Sequence, residues 1–193
     1  MNIDNIFYTP IAYSFYPKHN DIRDKLINHC YDVKSKVESG GKNWLSKNVY
    51  TTCGTHNIYK DEKFKLLNNW IYSQVTEFKN TIGYNKELKE EWAWLNLYNK
   101  SNFQEYHNHN FQCISAIYYL KANKNDGRTF FKSPLPANPN TPNLDSNNPY
   151  TWSSYFTIPE EGKLVMFKSS LEHCVEAQPT NNIRITLAYN YDI

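Results

Sequence analysis

The chain has 193 residues and a formal net charge of +2, from 21 Lys and Arg against 19 Asp and Glu. That balance is too mild and too evenly spread to argue for nucleic acid or an anionic membrane as partner. Aromatic residues make up 16% of the chain, which excludes a disordered segment, and the length suits one domain with a sizeable core.

The N-terminus "MNIDNIFYTPIAYSF" lacks a basic stretch followed by an apolar one. No run approaches the roughly 18 apolar residues of a membrane span, so a soluble, cytoplasmic protein is expected. "NDIRDKLINHCYDVKSKVESGG" (20–41) starts on Asn20 or Asp21 as a cap and carries Ile22, Leu26, Cys30, Val33 and Val37 at helical spacing. It stops at Gly40-Gly41. "DEKFKLLNNWIYSQVTEFKNTIG" (61–83) repeats that plan, with Asp61 as cap, a stripe of Phe64, Leu67, Ile71, Val75 and Phe78, and Gly83 as stop. Both stripes read as core packing, not as cofactor boxes.

From about residue 90 the texture changes. "EWAWLNLYN", "FQCISAIYYLKA", "GRTFFKS", "YTWSSYFTIP", "GKLVMFKS" and "IRITLAYNYDI" are short, rich in β-branched and aromatic residues, and separated by Gly, Pro and Asn. They predict an antiparallel sandwich or jelly roll. "SPLPANPNTPNLDSNNPY" (133–150) is a long Pro- and Asn-rich connection, expected as a mobile loop at one rim and a candidate lid. The four cysteines, Cys30, Cys53, Cys113 and Cys174, form no CxxC pair and are expected reduced, with Cys113 in the core.

Chemistry concentrates in "EYHNHN" (105–110). His107 and His109 at i and i+2 of a strand point to one face, so both imidazoles could reach one ion. A third ligand candidate is His173 in "SSLEHCVEA", whose neighbour Cys174 would face away from the ion. Three ligands with open positions suit a non-haem iron that admits O2. Glu105 shares the predicted face and is an alternative to His109. Eleven residues past His173 lies Arg184, one of only three arginines, with Thr186, Ala188 and Asn190 on its side of the strand. An inward guanidinium is costly unless it meets an anion, and its planar fork suits a carboxylate; a rim salt bridge is the plainer reading. His19, His29 and His56 are assigned no chemistry.

The ordered set "HNHN-FQCISAIYYL", "DGRTFF", "EEGKLVMFKSSLEHCVEA" and "NNIRITLAYN" resembles the Fe(II)/2-oxoglutarate-dependent oxygenases. It is most similar to a family with an HxH motif that occurs in marine bacteria and phages, on the prolyl-4-hydroxylase-like branch. The resemblance covers about residues 90–193, more faintly the N-terminal helices. It implies one domain over 1–193: a helical support region (1–89) and a double-stranded β-helix, cupin-like jelly-roll core (90–193). It also implies Fe(II) on His107, His109 and His173, and 2-oxoglutarate anchored by Arg184 with Thr186 and hydroxyls from Tyr119 and Tyr98. O2 would be consumed and succinate and CO2 released, with hydroxylation of a small molecule or protein side chain. Two departures stand out. His109 replaces the usual carboxylate, and "FFKSPLP" stands where relatives carry an acidic-Pro-Arg stretch. Competing readings are a three-His dioxygenase that needs no keto acid, with Arg184 on its substrate, and a non-catalytic jelly-roll binding module using Trp152 and Tyr155.

Overall fold

The structure is a computed structural model describing residues 1–3, 6–135 and 148–193. Most of the predicted rim loop, 136–147, therefore lies outside the described residues. In chain order the elements are β1 (Ile11–Phe15), α1 (His19–Lys36), β2 (Tyr50–Thr51), α2 (Lys65–Thr81), β3 (Lys89–Tyr98) and β4 (Gln104–His107). There follow β5 (Ile114–Lys121), β6 (Thr129–Lys132), β7 (Ser154–Thr157), β8 (Lys163–Lys168), β9 (His173–Val175) and β10 (Arg184–Asp192). They form a six-stranded sheet, β1-β8-β5-β10-β3-β2, and a four-stranded one, β4-β9-β6-β7. Every pairing is antiparallel.

Alternation along the central strands divides the large sheet into two chemically different faces. Leu95 and Leu97 of β3, Ala116 and Tyr118 of β5, Leu164 and Met166 of β8, and Ile185 and Leu187 of β10 face the helices. There they meet Leu26, Cys30, Leu67, Ile71 and Val75 in the main core. The opposite residues point between the sheets. On one side of that space Tyr119, Val165 and Phe167 pack with Phe131 and Leu171 into a second apolar cluster. On the other side the three histidines 107, 109 and 173, Arg184 and the amides of Asn96 and Gln104 join the apolar lining, and that is where the site forms.

The N-terminal region differs from its helical prediction. β1 pairs with β8 from Ile11 opposite Phe167 to Phe15 opposite Lys163, and β2 pairs with β3, so both ends of the large sheet come from residues before 89. Helix α1 ends at Lys36, before the glycine pair, because Val37 is already extended (φ −114°, ψ 127°); no side chain caps its start. Asp61 caps a short 3-10 turn by accepting the Lys63 N–H, and α2 begins only at Lys65. Cys113 is half-buried at the edge of the core, its thiol donating to Asp192 Oδ1 at 3.2 Å. All four cysteines are free. No described helix is long and apolar enough to cross a membrane.

Candidate metal and co-substrate site

Strands β4 and β9 put His107 directly opposite His173, while Gln104 lies opposite Val175. Three steps on β4 thus span two on β9, which is a β-bulge, and a bulge shifts the phase of the side chains by one residue. As a result Gln104 and His107 both line the inter-sheet cavity. Glu105 falls out of phase and instead accepts the Leu45 N–H at 3.1 Å. The predicted common face for Glu105, His107 and His109 is therefore not observed. His109 lies beyond the strand on a turn fixed by its N–H to Ser169 O at 2.8 Å. A turn, not strand alternation, brings the two imidazoles together.

The result is a three-imidazole cluster. Ring centroids lie 4.3 Å (His107–His173), 5.1 Å (His107–His109) and 5.3 Å (His109–His173) apart. One ring nitrogen from each lies within 4.8 Å of the others, the only such group of possible metal ligands among the described residues. Backbone carbonyls can only accept, so Nδ1 of His107 donates to Glu105 O at 2.8 Å and Nδ1 of His173 to Leu171 O at 2.9 Å. Both therefore keep an Nε2 lone pair for a metal, the carbonyl fixing tautomer and ring orientation. Burial pushes all three imidazoles below the ordinary histidine value, His109 to about 4, with mutual repulsion adding to the effect at His109 and His173. They are neutral donors at physiological pH, which fits Fe(II).

Arg184 lies in the same cavity, only 1% exposed. Its guanidinium lies 4.3 Å from the Tyr98 ring centroid, Nη1 donates to Gly127 O, and Nε is buried without a partner. It has no ion-pair partner among the described residues. A buried cation without a counter-ion costs several kcal/mol, so this one calls for an anion from outside the chain. Thr186 lines the cavity beside it. Burial raises the Tyr98 hydroxyl, partly offset by the guanidinium, to about 12; it is protonated and able to donate. Tyr119 is fully buried and shares a 2.8 Å hydrogen bond with Thr129, which also lines the cavity.

This cavity measures about 90 Å3 and has contributors that the motifs did not reveal. Trp94 and Asn96 face it from β3, a placement the alternation Trp94-Asn96-Tyr98 could have shown. Gln104 could not be predicted, because its orientation depends on the bulge. Trp44 reaches in from the connection between α1 and β2. That turn needs Gly41 at φ +64°, where an added Cβ would sit 2.7 Å from Thr51 Cγ2.

Residues 92–190 match the sequence profile of the "Putative 2OG-Fe(II) oxygenase" family. No curated protein matches. Among solved structures, a prolyl-4-hydroxylase from Pseudomonas putida superposes with a TM-score of 0.60 at 16% identity, over 96% of this chain and 94% of that one. A prolyl hydroxylase from Trichoplax adhaerens, in complex with a hypoxia-inducible-factor peptide, gives 0.66 at 13% identity, over 94% and 83%. A collagen prolyl hydroxylase of Paramecium bursaria Chlorella virus 1, solved with 2-oxoglutarate, gives 0.58 at 13% identity, over 94% and 96%. At these identities the likeness is one of fold, the double-stranded β-helix. The family match spans the three imidazoles and the buried guanidinium together, and the chain belongs to that family, as an oxygenase dependent on Fe(II), 2-oxoglutarate and O2.

Proposed function

We propose that His107, His109 and His173 hold Fe(II) through one ring nitrogen each, and that Arg184 takes the distal carboxylate of 2-oxoglutarate. Thr186, Tyr98 and the Tyr119–Thr129 hydroxyl pair complete that anchor. One observation carries the reading: a single buried cavity holds both a neutral three-imidazole cluster and a guanidinium lacking an anion. When bound, iron with 2-oxoglutarate and O2 supplies a two-electron oxidation in which the keto acid leaves as succinate and CO2. The chain's share is positioning. The Glu105 and Leu171 carbonyls hold two imidazoles in their metal-binding tautomer, and the Gly127 carbonyl with the Tyr98 ring fixes the guanidinium.

With no carboxylate in the ligand set, the cage itself adds no negative charge. It therefore attracts an anionic co-substrate more strongly than a cage holding Asp or Glu would. Hydroxylation of a carbon on a small molecule or a protein side chain is the outcome we propose. Four free thiols and a reaction that runs on reduced iron support action in a reducing cytoplasm, that of a marine bacterium or of a phage-infected host.

The test uses purified protein with Fe(II), ascorbate and 2-oxoglutarate. Binding of 2-oxoglutarate and slow conversion to succinate without added substrate are expected, and His173→Ala is expected to arrive from purification without iron. No keto-acid binding, together with unchanged iron in His173→Ala, overturns the reading.

A further inference from the structure

One carboxylate beside the imidazoles has no role in the reading above. Glu105 precedes His107 by two residues, and its backbone carbonyl holds the His107 Nδ1–H. Its side chain makes one hydrogen bond, Oε1 accepting the Leu45 N–H at 3.1 Å. The second oxygen, Oε2, is buried without a partner. Among the described residues no Lys, Arg or His forms an ion pair with Glu105. A carboxylate partly withdrawn from water costs free energy unless a positive charge offsets it, and the chain supplies none at contact distance.

The neighbouring cavity has the opposite imbalance. Apart from Arg184, no Lys, Arg, Asp or Glu lines it. Three neutral imidazoles leave a bound divalent ion with both its positive charges, and Arg184 adds a third. A keto-acid dianion cancels two of the three, so one positive charge remains beside one unpaired carboxylate. Oε2 has no surface from which to touch a ligand, so the pairing acts through space. Away from bulk water, opposite charges attract well beyond hydrogen-bond distance. The Glu105 charge reaches the cavity as far as the Tyr98 hydroxyl, where it adds a little to the rise that burial causes.

We propose that Glu105 is the counter-charge of the imidazole cage, offsetting the bound cation without coordinating it. Its backbone carbonyl meanwhile orients His107, and its Oε1 ties down the loop that carries Trp44. This rests on the reading of the cavity as the seat of metal and co-substrate. A cage of three imidazoles thus keeps a carboxylate's charge, moved from a ligand to a neighbour in the chain.

The experiment separates that charge from the Leu45 contact. Mn(II), and then 2-oxoglutarate at saturating Mn(II), are titrated calorimetrically into wild type, Glu105→Gln and Glu105→Asp. The first variant keeps an oxygen for the Leu45 N–H and loses the charge; the second keeps the charge and draws back from Leu45. Glu105→Gln is expected to raise the Kd for Mn(II) about tenfold. The same change is expected to lower the Kd for 2-oxoglutarate about threefold, since the site becomes more positive toward a dianion. Glu105→Asp is expected to hold Mn(II) within about threefold of wild type. Mn(II) affinity of Glu105→Gln within twofold of wild type overturns the proposal. So does 2-oxoglutarate weakened in step with the metal, the mark of a loosened loop. Should Glu105→Gln fail to fold, Glu105→Asp decides: a tenfold loss of Mn(II) with the charge retained assigns the effect to the contact and overturns the proposal. If wild type takes up no Mn(II) or no 2-oxoglutarate, the reading of the cavity fails instead.

Discussion

At the scale of single residues the site rests on charge and its absence. His173 is buried beside Phe131 and Phe167 and tied by Nδ1 to the Leu171 carbonyl, which leaves its Nε2 for the proposed metal. Loss of an outer-shell partner costs roughly 10–100-fold in metal affinity. His173→Ala should exceed that, read as iron per chain after reconstitution. Arg184 is the second lever: Arg184→Met keeps bulk but removes the cation. Truncating one partner of a buried charge pair costs about 2–5 kcal/mol, so the Kd for 2-oxoglutarate should rise by about 30-fold or more. Unchanged affinity in that variant would show the anion to lie elsewhere. That His107, His173 and Arg184 would meet in one place was legible in sequence because residue type and order carry it. Gln104 was not, since a bulge has no signature in "FQEYHNHN".

At the scale of elements, the joints between strands and loops decide how well those residues are aimed. A Cβ on Gly127 would meet Glu176 O at 2.5 Å, so the segment leading into β6 approaches the stretch after β9 as closely as it does only because no side chain intervenes. Gly127→Ala is expected to cost about 1–3 kcal/mol and to displace the carbonyl that holds Arg184. Weaker 2-oxoglutarate binding should accompany a lower urea midpoint.

A second joint is Asp61, which accepts from His29 Nε2 at 2.7 Å and His56 Nε2 at 3.1 Å and so ties α1 to the connection before α2. Burial alone would raise its carboxyl, but the His29, Lys63 and His56 donors prevail and hold it below the ordinary value. A carboxyl depressed on folding adds stability that is complete above the unfolded value near 4 and fades as pH falls through the folded one. Asp61→Ala should therefore cost about 1–3 kcal/mol near pH 7, with the gap to wild type narrowing as pH falls below about 4. A gap independent of pH would assign the loss to packing.

At the scale of the whole molecule, binding at the cavity should feed back on the fold, since a metal that binds only the native state stabilises it. At about 100 times its Kd the gain is about 2.7 kcal/mol. For a chain of this size that is a rise of roughly 5–10 °C in Tm, reversed by a chelator. Leu187, fully buried on the central strand β10, is expected to cost about 2–5 kcal/mol as Leu187→Ala without altering the ligand set. Sequence alone determined the two helical stripes, six of the ten strands described, an antiparallel sandwich or jelly roll, and the histidines and arginine that meet at the cavity. Those features follow from local periodicity and from donor chemistry, which a chain carries wherever it folds. Only the tertiary structure decided that β1 and β2 complete the large sheet, and that a turn and a bulge, not strand alternation, gather the imidazoles. It alone brought Trp44 and Gln104 to the cavity, because pairing partners and register are set between segments far apart in the chain.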